Sequence, residues 1–148
     1  SGSSETIRNR CKGIERAMDE YGVDKSQVEY MEIGTSCDSS LDAAHSLLSR
    51  EKPPTGILCM ADVQAYGFYH AVQELGLSIP RDLSIVTFDN LPQSNLLHPK
   101  PSAVNQPGFQ KGCRAAEELF KLLSAQESQS TMLDCQILNI GSVAPPST

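Results

Sequence analysis

The 148-residue sequence contains no Trp and only four Phe and four Tyr, and its basic residues are fewer than its acidic ones. With so few aromatic side chains, we predict one domain whose core is built mainly from Ile, Leu, Val, Ala and Met. The 12 Lys and Arg against 18 Asp and Glu give a formal net charge of -6. A nucleic-acid-binding surface needs clustered basic side chains, so this charge argues against one on this chain.

Long apolar runs are also missing. A membrane-spanning helix needs about 18 or more consecutive apolar residues, and the sequence has no such run. The segment Ser1–Thr6 is polar and lacks the apolar stretch of a secretory signal. We interpret residues 1–4 as an expression-vector remnant, and we expect a cytoplasmic protein without a membrane partner.

Motifs for metals, cofactors and catalysis are absent as well. The cysteines are far apart and form no C-x-x-C pair: Cys11, Cys37, Cys59, Cys113 and Cys135. We predict buried, reduced thiols and no metal site. The sequence has no G-x-G-x-x-G, no G-x-x-x-x-G-K and no G-x-S-x-G. By periodicity, His45 and His70 lie near helix surfaces. We therefore expect neither a cofactor nor an enzyme.

What the sequence does contain is an alternation of helical and strand-like patterns. Helices are predicted over Thr6–Tyr21, Leu41–Leu48, Asp62–Leu75 and Phe109–Leu123, and strands over Val28–Ile33, Thr55–Met60, Leu83–Phe88 and Leu133–Ile140. Gly22 and Gly76 are predicted helix stops, and Leu91–Pro101 is a predicted loop. This alternation indicates an α/β fold with three αβα layers and a mostly parallel sheet.

Ligands of open parallel sheets bind beyond the carboxyl ends of the strands. Polar residues follow the predicted strands at Gly34–Ser40, Met60–Asp62 and Phe88–Asn90. Capping of a helix would explain Asp62 fully. For Asp89, the residues leave two interpretations open: hydrogen bonding to ligand hydroxyls or amines, or stabilisation of a turn.

Several stretches together resemble a known family. Ile57–Gly67 resembles a hydrophobic strand followed by A-x-D-x-x-A-x-G, and Glu74–Asn90 resembles ELGL-x-VP-x-D with a strand ending in Phe-Asp-Asn. Pro99–Pro107 is similar to P-x-L-T-T-[VI]-x-Q-P, and Arg10–Ile14 to R-x-x-G-F. These are signatures of the effector domain in the lactose/galactose repressor (LacI/GalR-type) family of bacterial transcription regulators.

The resemblance implies a periplasmic-binding-protein type I fold, of which this chain holds one lobe plus a crossover. Residues 5–103 correspond to the C-terminal lobe, 104–132 to a crossover helix segment of the other lobe, and 133–148 to the return strand and tail. It further implies a small-molecule effector (a sugar, a nucleobase or similar), a homodimer, and DNA contact only through a headpiece absent here. An isolated fragment should bind effector weakly or not at all.

The resemblance also implies effector-binding positions. Arg10 falls on an arginine that reaches a ligand hydroxyl or carboxylate, and Asp89 on an aspartate that accepts from ligand hydroxyls or amines. Ala61 and Asp62 fall on a cleft-edge pair that often reads Asn-Asp. Ser36 falls where several members place an aromatic ring, and serine cannot stack on a sugar or base.

Two other functions compete with a regulator. A sugar-binding protein of an uptake system shares the fold, but scattered cysteines disfavour an oxidising compartment. A phosphoacceptor receiver domain needs an acidic pair after its first strand, which is missing.

The last predicted helix lacks an obvious host. We expect Phe109, Phe120 and Leu123 to be covered by a second copy, by domain exchange or by repositioning of the helix. By resemblance, a dimer would form through Val63–Leu75 together with Leu96–Leu97.

Overall fold

A computed structural model describes residues 4–146. The helices of this range are α1 (Glu5–Tyr21), α2 (Cys37–Leu48), α3 (Asp62–Glu74) and α4 (Gly108–Leu123), with short 3₁₀ helices at Lys25–Gln27 and Pro92–Leu96. The strands are β1 (Gly56–Leu58), β2 (Ser84–Phe88), β3 (Ser102–Asn105) and β4 (Gln136–Leu138).

Local signals explain where the first and third helices end. The Ser4 hydroxyl caps α1 by accepting from the Ile7 amide at 3.3 Å, so this residue is part of the fold, while residues 1–3 lie outside the described range. Gly22, directly after α1, and Gly76, one residue beyond the C-cap of α3, adopt left-handed φ angles of 65° and 68°. Glycine reaches this region without the penalty of a Cβ atom, and the predicted stops at both residues are confirmed.

The sheet has the order β1-β2-β3-β4. Its first three strands are parallel to one another, and β4 pairs antiparallel with β3 at the edge. The predicted α/β fold with a mostly parallel sheet is therefore confirmed. The sequence pattern missed β3 because Ser102–Asn105 is short and contains no apolar run. The predicted domain boundary at 103/104 falls inside this strand.

The predicted strand Val28–Ile33 is wrong. The segment has no strand pairing, and Ile33 alone packs against the core. Glu29 instead forms an ion pair with Arg50 after α2, with an Nη1–Oε2 distance of 2.6 Å. A single, partly buried side chain contributes too little apolar area to hold the segment against the edge of the sheet.

The core lies where α2 and α3 pack against each other and against β2. Its members are mostly aliphatic, as predicted: Ala44, Leu47, Leu48, Cys59, Ala65, Phe68, Tyr69, Ala71, Val72, Leu83 and Ile85. The two helices approach most closely at Gly67. A Cβ atom there would lie 2.5 Å from the Leu41 amide nitrogen and 2.6 Å from the Cys37 carbonyl oxygen. Glycine at this position permits the close packing that forms the core.

The segment after β4 is fastened to the centre of the sheet by Ser142. Its buried hydroxyl accepts from the Ser102 amide at 2.7 Å and donates to the Ile85 carbonyl. The Ile85 amide donates to the Ser142 carbonyl at 2.9 Å. One serine therefore joins β2, β3 and the chain that follows β4.

Helix α4 is not buried against any other element of the described residues. None of its residues is buried, and Phe109, Phe120 and Leu123 are 85%, 67% and 74% exposed. Repositioning of the helix onto its own chain is therefore not observed. No helix of residues 4–146 is long and apolar enough to cross a bilayer.

The cysteine prediction is partly wrong. All five thiols are free, but only Cys59 is buried, whereas Cys37, Cys113 and Cys135 are exposed. Cys113 lies on α4, which has no buried residue, and Cys135 precedes the edge strand β4. Burial raises the pKa of the Cys59 thiol to about 12, and the Asp62 carboxylate adds to the shift.

Candidate ligand-binding site

Arg10 of α1 and Asp89, which follows β2, meet at the carboxyl edge of the sheet. The Arg10 Nη2 atom lies 3.6 Å from Asp89 Oδ1, and Nη1 donates to the Met60 carbonyl beyond β1. The guanidinium also lies over the Phe88 ring, 4.0 Å from its centroid. The ring and the carbonyl fix the guanidinium in place, and 15% of the Arg10 side chain remains exposed. The structure thus brings together two of the residues that the family resemblance implies for effector binding.

A left-handed turn presents the Asp89 side chain. Asp89 and Asn90 have φ angles of 92° and 55°, a region that Asp and Asn tolerate better than most residues. The Asp89 amide donates to the Val104 carbonyl at 3.0 Å, which anchors the turn to β3. The carboxylate bonds side chains from other parts of the chain, and no described bond joins it to the amides of its own turn. Stabilisation of the turn by this carboxylate is therefore not observed among the described residues.

Gln106 completes the surroundings of Asp89. Its Nε2 donates to Asp89 Oδ1, and the Lys111 ammonium of α4 donates to its Oε1. Both side-chain contacts of Asp89 are therefore made to Oδ1, and Oδ2 has no partner among the contacts of the described residues. Sequence analysis did not assign Gln106 to the site, although the glutamine belongs to the Q-P pattern of Pro99–Pro107.

Ala61 and Asp62 begin α3 next to this pair. Ala61 occupies the N-cap position without a side-chain capping bond. Asp62 is fully buried, and its carboxylate accepts from the Thr87 hydroxyl, the Leu91 amide and the Ser94 hydroxyl. The capping explanation for Asp62 is therefore wrong, because its partners lie in β2 and in the segment after it. A carboxylate so enclosed does not face the cleft edge.

Ser36 stands apart from the pair. It is the exposed N-cap of α2, and its hydroxyl accepts from the Ser39 amide at 3.1 Å. Its described bonds all stay within the first turn of that helix, so the structure does not join it to Arg10 or Asp89.

Two histidines lie on the surface of the helices. His45 and His70 flank the Glu74 carboxylate, with Nε2–O distances of 2.7 and 3.6 Å, on exposed parts of α2 and α3 as predicted. No cluster of His, Cys, Asp and Glu able to hold a metal ion occurs in residues 4–146. The chemistry available at the sheet edge is hydrogen bonding by a guanidinium, a carboxylate and an amide.

An open groove of about 630 Å³ lies on another face, between α3 and the segment around Leu96. It is lined by apolar and aromatic side chains with His70 and His98, among them Tyr66, Tyr69, Leu77, Ile79, Leu96 and Leu97. Leu96 is 80% exposed. This surface contains the Leu96–Leu97 pair that the resemblance assigns to dimerisation.

The described residues thus combine a mostly parallel α/β sheet with polar groups that converge at its carboxyl edge. The chain belongs to the periplasmic binding protein-like domain family, whose sequence model matches residues 1–140.

The chain is similar to several transcription regulators, among them proteins of the LacI family. Catabolite control protein A of Priestia megaterium is 32% identical over 124 residues, covering 84% of this chain and 37% of that protein. A LacI family transcriptional regulator from Enterococcus faecium, solved with bound ribose, is 27% identical with a TM-score of 0.86, covering 94% of this chain and 52% of that one.

A LacI family regulator from Enterococcus faecalis, also with bound ribose, is 29% identical with a TM-score of 0.81, covering 97% of this chain and 51% of that one. The predicted family resemblance is confirmed. The chain spans little more than a third of the curated relative and about half of the solved ones.

Proposed function

We propose that this chain is an effector-sensing lobe of a cytoplasmic LacI-type transcription regulator. The observation that carries the proposal is the pairing of Arg10 with Asp89 at the carboxyl edge of a parallel sheet. DNA contact would be made outside this acidic chain. A sugar-binding protein of an uptake system shares the fold, but the named relatives are transcription regulators, which favours the regulator.

The effector we propose is a small hydroxylated molecule such as an aldose. The free Asp89 Oδ2 can accept from a hydroxyl, while the remaining Arg10 N–H groups can donate to a neighbouring oxygen. Arg10 covers the Phe88 ring, so this ring offers no stacking face to a base. The bound ribose of the Enterococcus relatives agrees with this chemistry.

Binding would be read out by a change in the population of lobe arrangements. The second wall of the cleft would come from another lobe, and the solved relatives, which are about twice as long as this chain, have room for one. This chain alone would therefore bind effector weakly. We assign no catalytic role to Arg10, Asp89, Ala61, Asp62 or Ser36.

Self-association is the second part of the proposal. The groove beside Leu96 and Leu97 supplies an apolar surface for a second copy, and the α4 face supplies another. Monomeric proteins rarely leave large contiguous apolar patches in water.

A ligand screen with matched variants tests the binding proposal. Saturation-transfer NMR would be recorded on this chain with D-ribose, other aldoses and nucleosides at millimolar concentration. We expect signals for aldoses that Asp89→Asn removes and that Asp42→Asn, on an exposed part of α2, leaves unchanged. Equal signals in both variants, or none for any hydroxylated compound, would contradict the proposal.

A further inference from the structure

The strongest feature outside the Arg10–Asp89 pair is the buried carboxylate of Asp62. It is fully inaccessible to solvent, and its described partners are neutral donors. A buried carboxylate without a cation is costly unless several donors stabilise it. Its location in the core therefore needs an explanation beyond helix capping, which the structure rules out.

The two oxygens of Asp62 contact β2 and the chain after it on either side of the left-handed turn. Oδ1 accepts from the hydroxyl of Thr87, near the end of β2. Oδ2 accepts from the amide of Leu91, the first residue after the turn. Asp89 and Asn90, with φ angles of 92° and 55°, lie between these two attachment points.

Both turn residues occupy a backbone region that L side chains rarely adopt, and such a conformation persists only when surrounding contacts hold it. Val104 holds the beginning of the turn through the Asp89 amide, at 3.0 Å. Two described bonds hold its end: the Leu91 amide donates to Asp62, and Asn90 Nδ2 donates to Asn105 Oδ1 at 3.2 Å. The direction in which the Asp89 carboxylate points thus depends on a side chain that cannot itself reach a ligand.

We propose that Asp62 is a positioning residue for ligand binding: its buried carboxylate clamps the turn that aims Asp89 at the cleft. The role in ligand binding rests on the proposed function, whereas the contacts between Asp62 and the turn do not depend on it. The third donor, the Ser94 hydroxyl at 2.8 Å, belongs to the 3₁₀ helix Pro92–Leu96 beyond the turn, and it continues to the Tyr66 hydroxyl at 3.3 Å. Ser94 therefore provides a matched control that perturbs the same carboxylate away from the turn.

The test uses ligand-free NMR of the full chain. Residues with positive φ give strong intraresidue amide–Hα NOEs, so Asp89 and Asn90 should show them in the parent protein. Asp62→Ala should weaken both NOEs and speed Leu91 amide exchange about 10- to 100-fold relative to Ile85, as expected for losing a hydrogen bond to a charged group. Ser94→Ala should leave the NOEs and the Leu91-to-Ile85 ratio unchanged.

A purely structural role for Asp62 would give a different result. Asp62→Ala would then lower overall stability while the turn NOEs persist, and that outcome would overturn the proposal. If Asp62→Ala does not fold, the parent protein decides: Leu91 amide exchange as slow as that of Ile85 supports the clamp, and exchange as fast as in an open loop overturns it. Because no ligand is present, failure of the proposed function would not affect these readouts.

Discussion

At the scale of single residues, two aspartates that follow neighbouring parallel strands have opposite environments. Asp89 is 34% exposed and bonds Arg10 and Gln106 through one oxygen, whereas Asp62 is fully buried among three donors. Position after a strand is visible in sequence, but burial is not. This difference separates a carboxylate that solvent reaches from one that bonds only groups inside the protein.

Thiol reactivity provides a first prediction at this scale. Because the thiolate is the reactive form, Cys59, which is buried and has a pKa raised to about 12, should stay unlabelled by iodoacetamide in the native protein. Cys37, Cys113 and Cys135 are exposed and should react promptly. Mass spectrometry of the labelled peptides checks this pattern, and rapid native labelling of Cys59 would contradict it.

From the raised pKa of the Cys59 thiol, we expect the protein to lose stability at alkaline pH. Its folded-state pKa lies above that of an unfolded cysteine, so the unfolded chain releases the proton first. The contribution of the protonated Cys59 thiol to the free energy of unfolding is complete below the pKa of the unfolded cysteine. It declines as the pH rises toward about 12, the pKa in the folded state. In urea unfolding between pH 8 and about 10, Cys59→Ala should show a smaller decline of the free energy of unfolding than the parent, and an equal decline would be evidence against this account.

The candidate site could be predicted only in part. Arg10 and Asp89 were found through family-like motifs and meet in the structure. Gln106 was missed because its role depends on β3 bringing it beside β2, and the burial of Asp62 depends on Thr87, Leu91 and Ser94 converging from distant positions. Such convergence has no local sequence signal.

At the scale of elements, helices were predicted better than strands. In the two helices that precede Gly22 and Gly76, the sequence shows both the helical spacing of apolar residues and a glycine that ends the helix. The false strand at Val28–Ile33 and the missed β3 are short, and short segments are decided by available partners. The hydrogen bonds of Ser142 to β2 and β3 are likewise visible only in the tertiary structure.

Gly67 gives a prediction at the scale of elements. Gly67→Ala would place a methyl group within 2.6 Å of backbone atoms of α2, so the two helices must separate. We expect the free energy of unfolding to fall by about 1–3 kcal/mol or more, measured by urea denaturation. Gly112→Ala on α4 is the matched control, since its Cβ would meet nothing within 4 Å. Equal stability of the two variants would contradict the close packing.

At the scale of the whole molecule, apolar surface remains on two faces, along α4 and in the groove beside Leu96. The solved relatives have about twice the length of this chain, so each of them has further chain that can cover such surface. The apolar face of α4 could be predicted from the sequence, because its apolar residues recur at regular helical spacing. The groove arises from packing of α3 and was suggested only by family resemblance.

Self-association of this chain follows from these faces. We expect a concentration-dependent oligomer in sedimentation velocity, shifted toward monomer when Phe109 and Phe120 are both replaced by Ser. Both side chains are largely exposed, so the urea midpoint should change little. Leu96→Ser tests the groove separately. A strictly monomeric parent chain would contradict the prediction for both faces.

The central claim is that Arg10 and Asp89 form the ligand-binding edge of this lobe. Residue-resolved chemical-shift mapping during a D-ribose titration tests it most directly. The account predicts small, saturable shifts confined to the amides of Met60, Asp89 and Asn90 and to the side chains of Arg10 and Gln106, all lost in Asp89→Asn. Shifts centred on the groove around Leu96, or shifts that persist in Asp89→Asn, would contradict it.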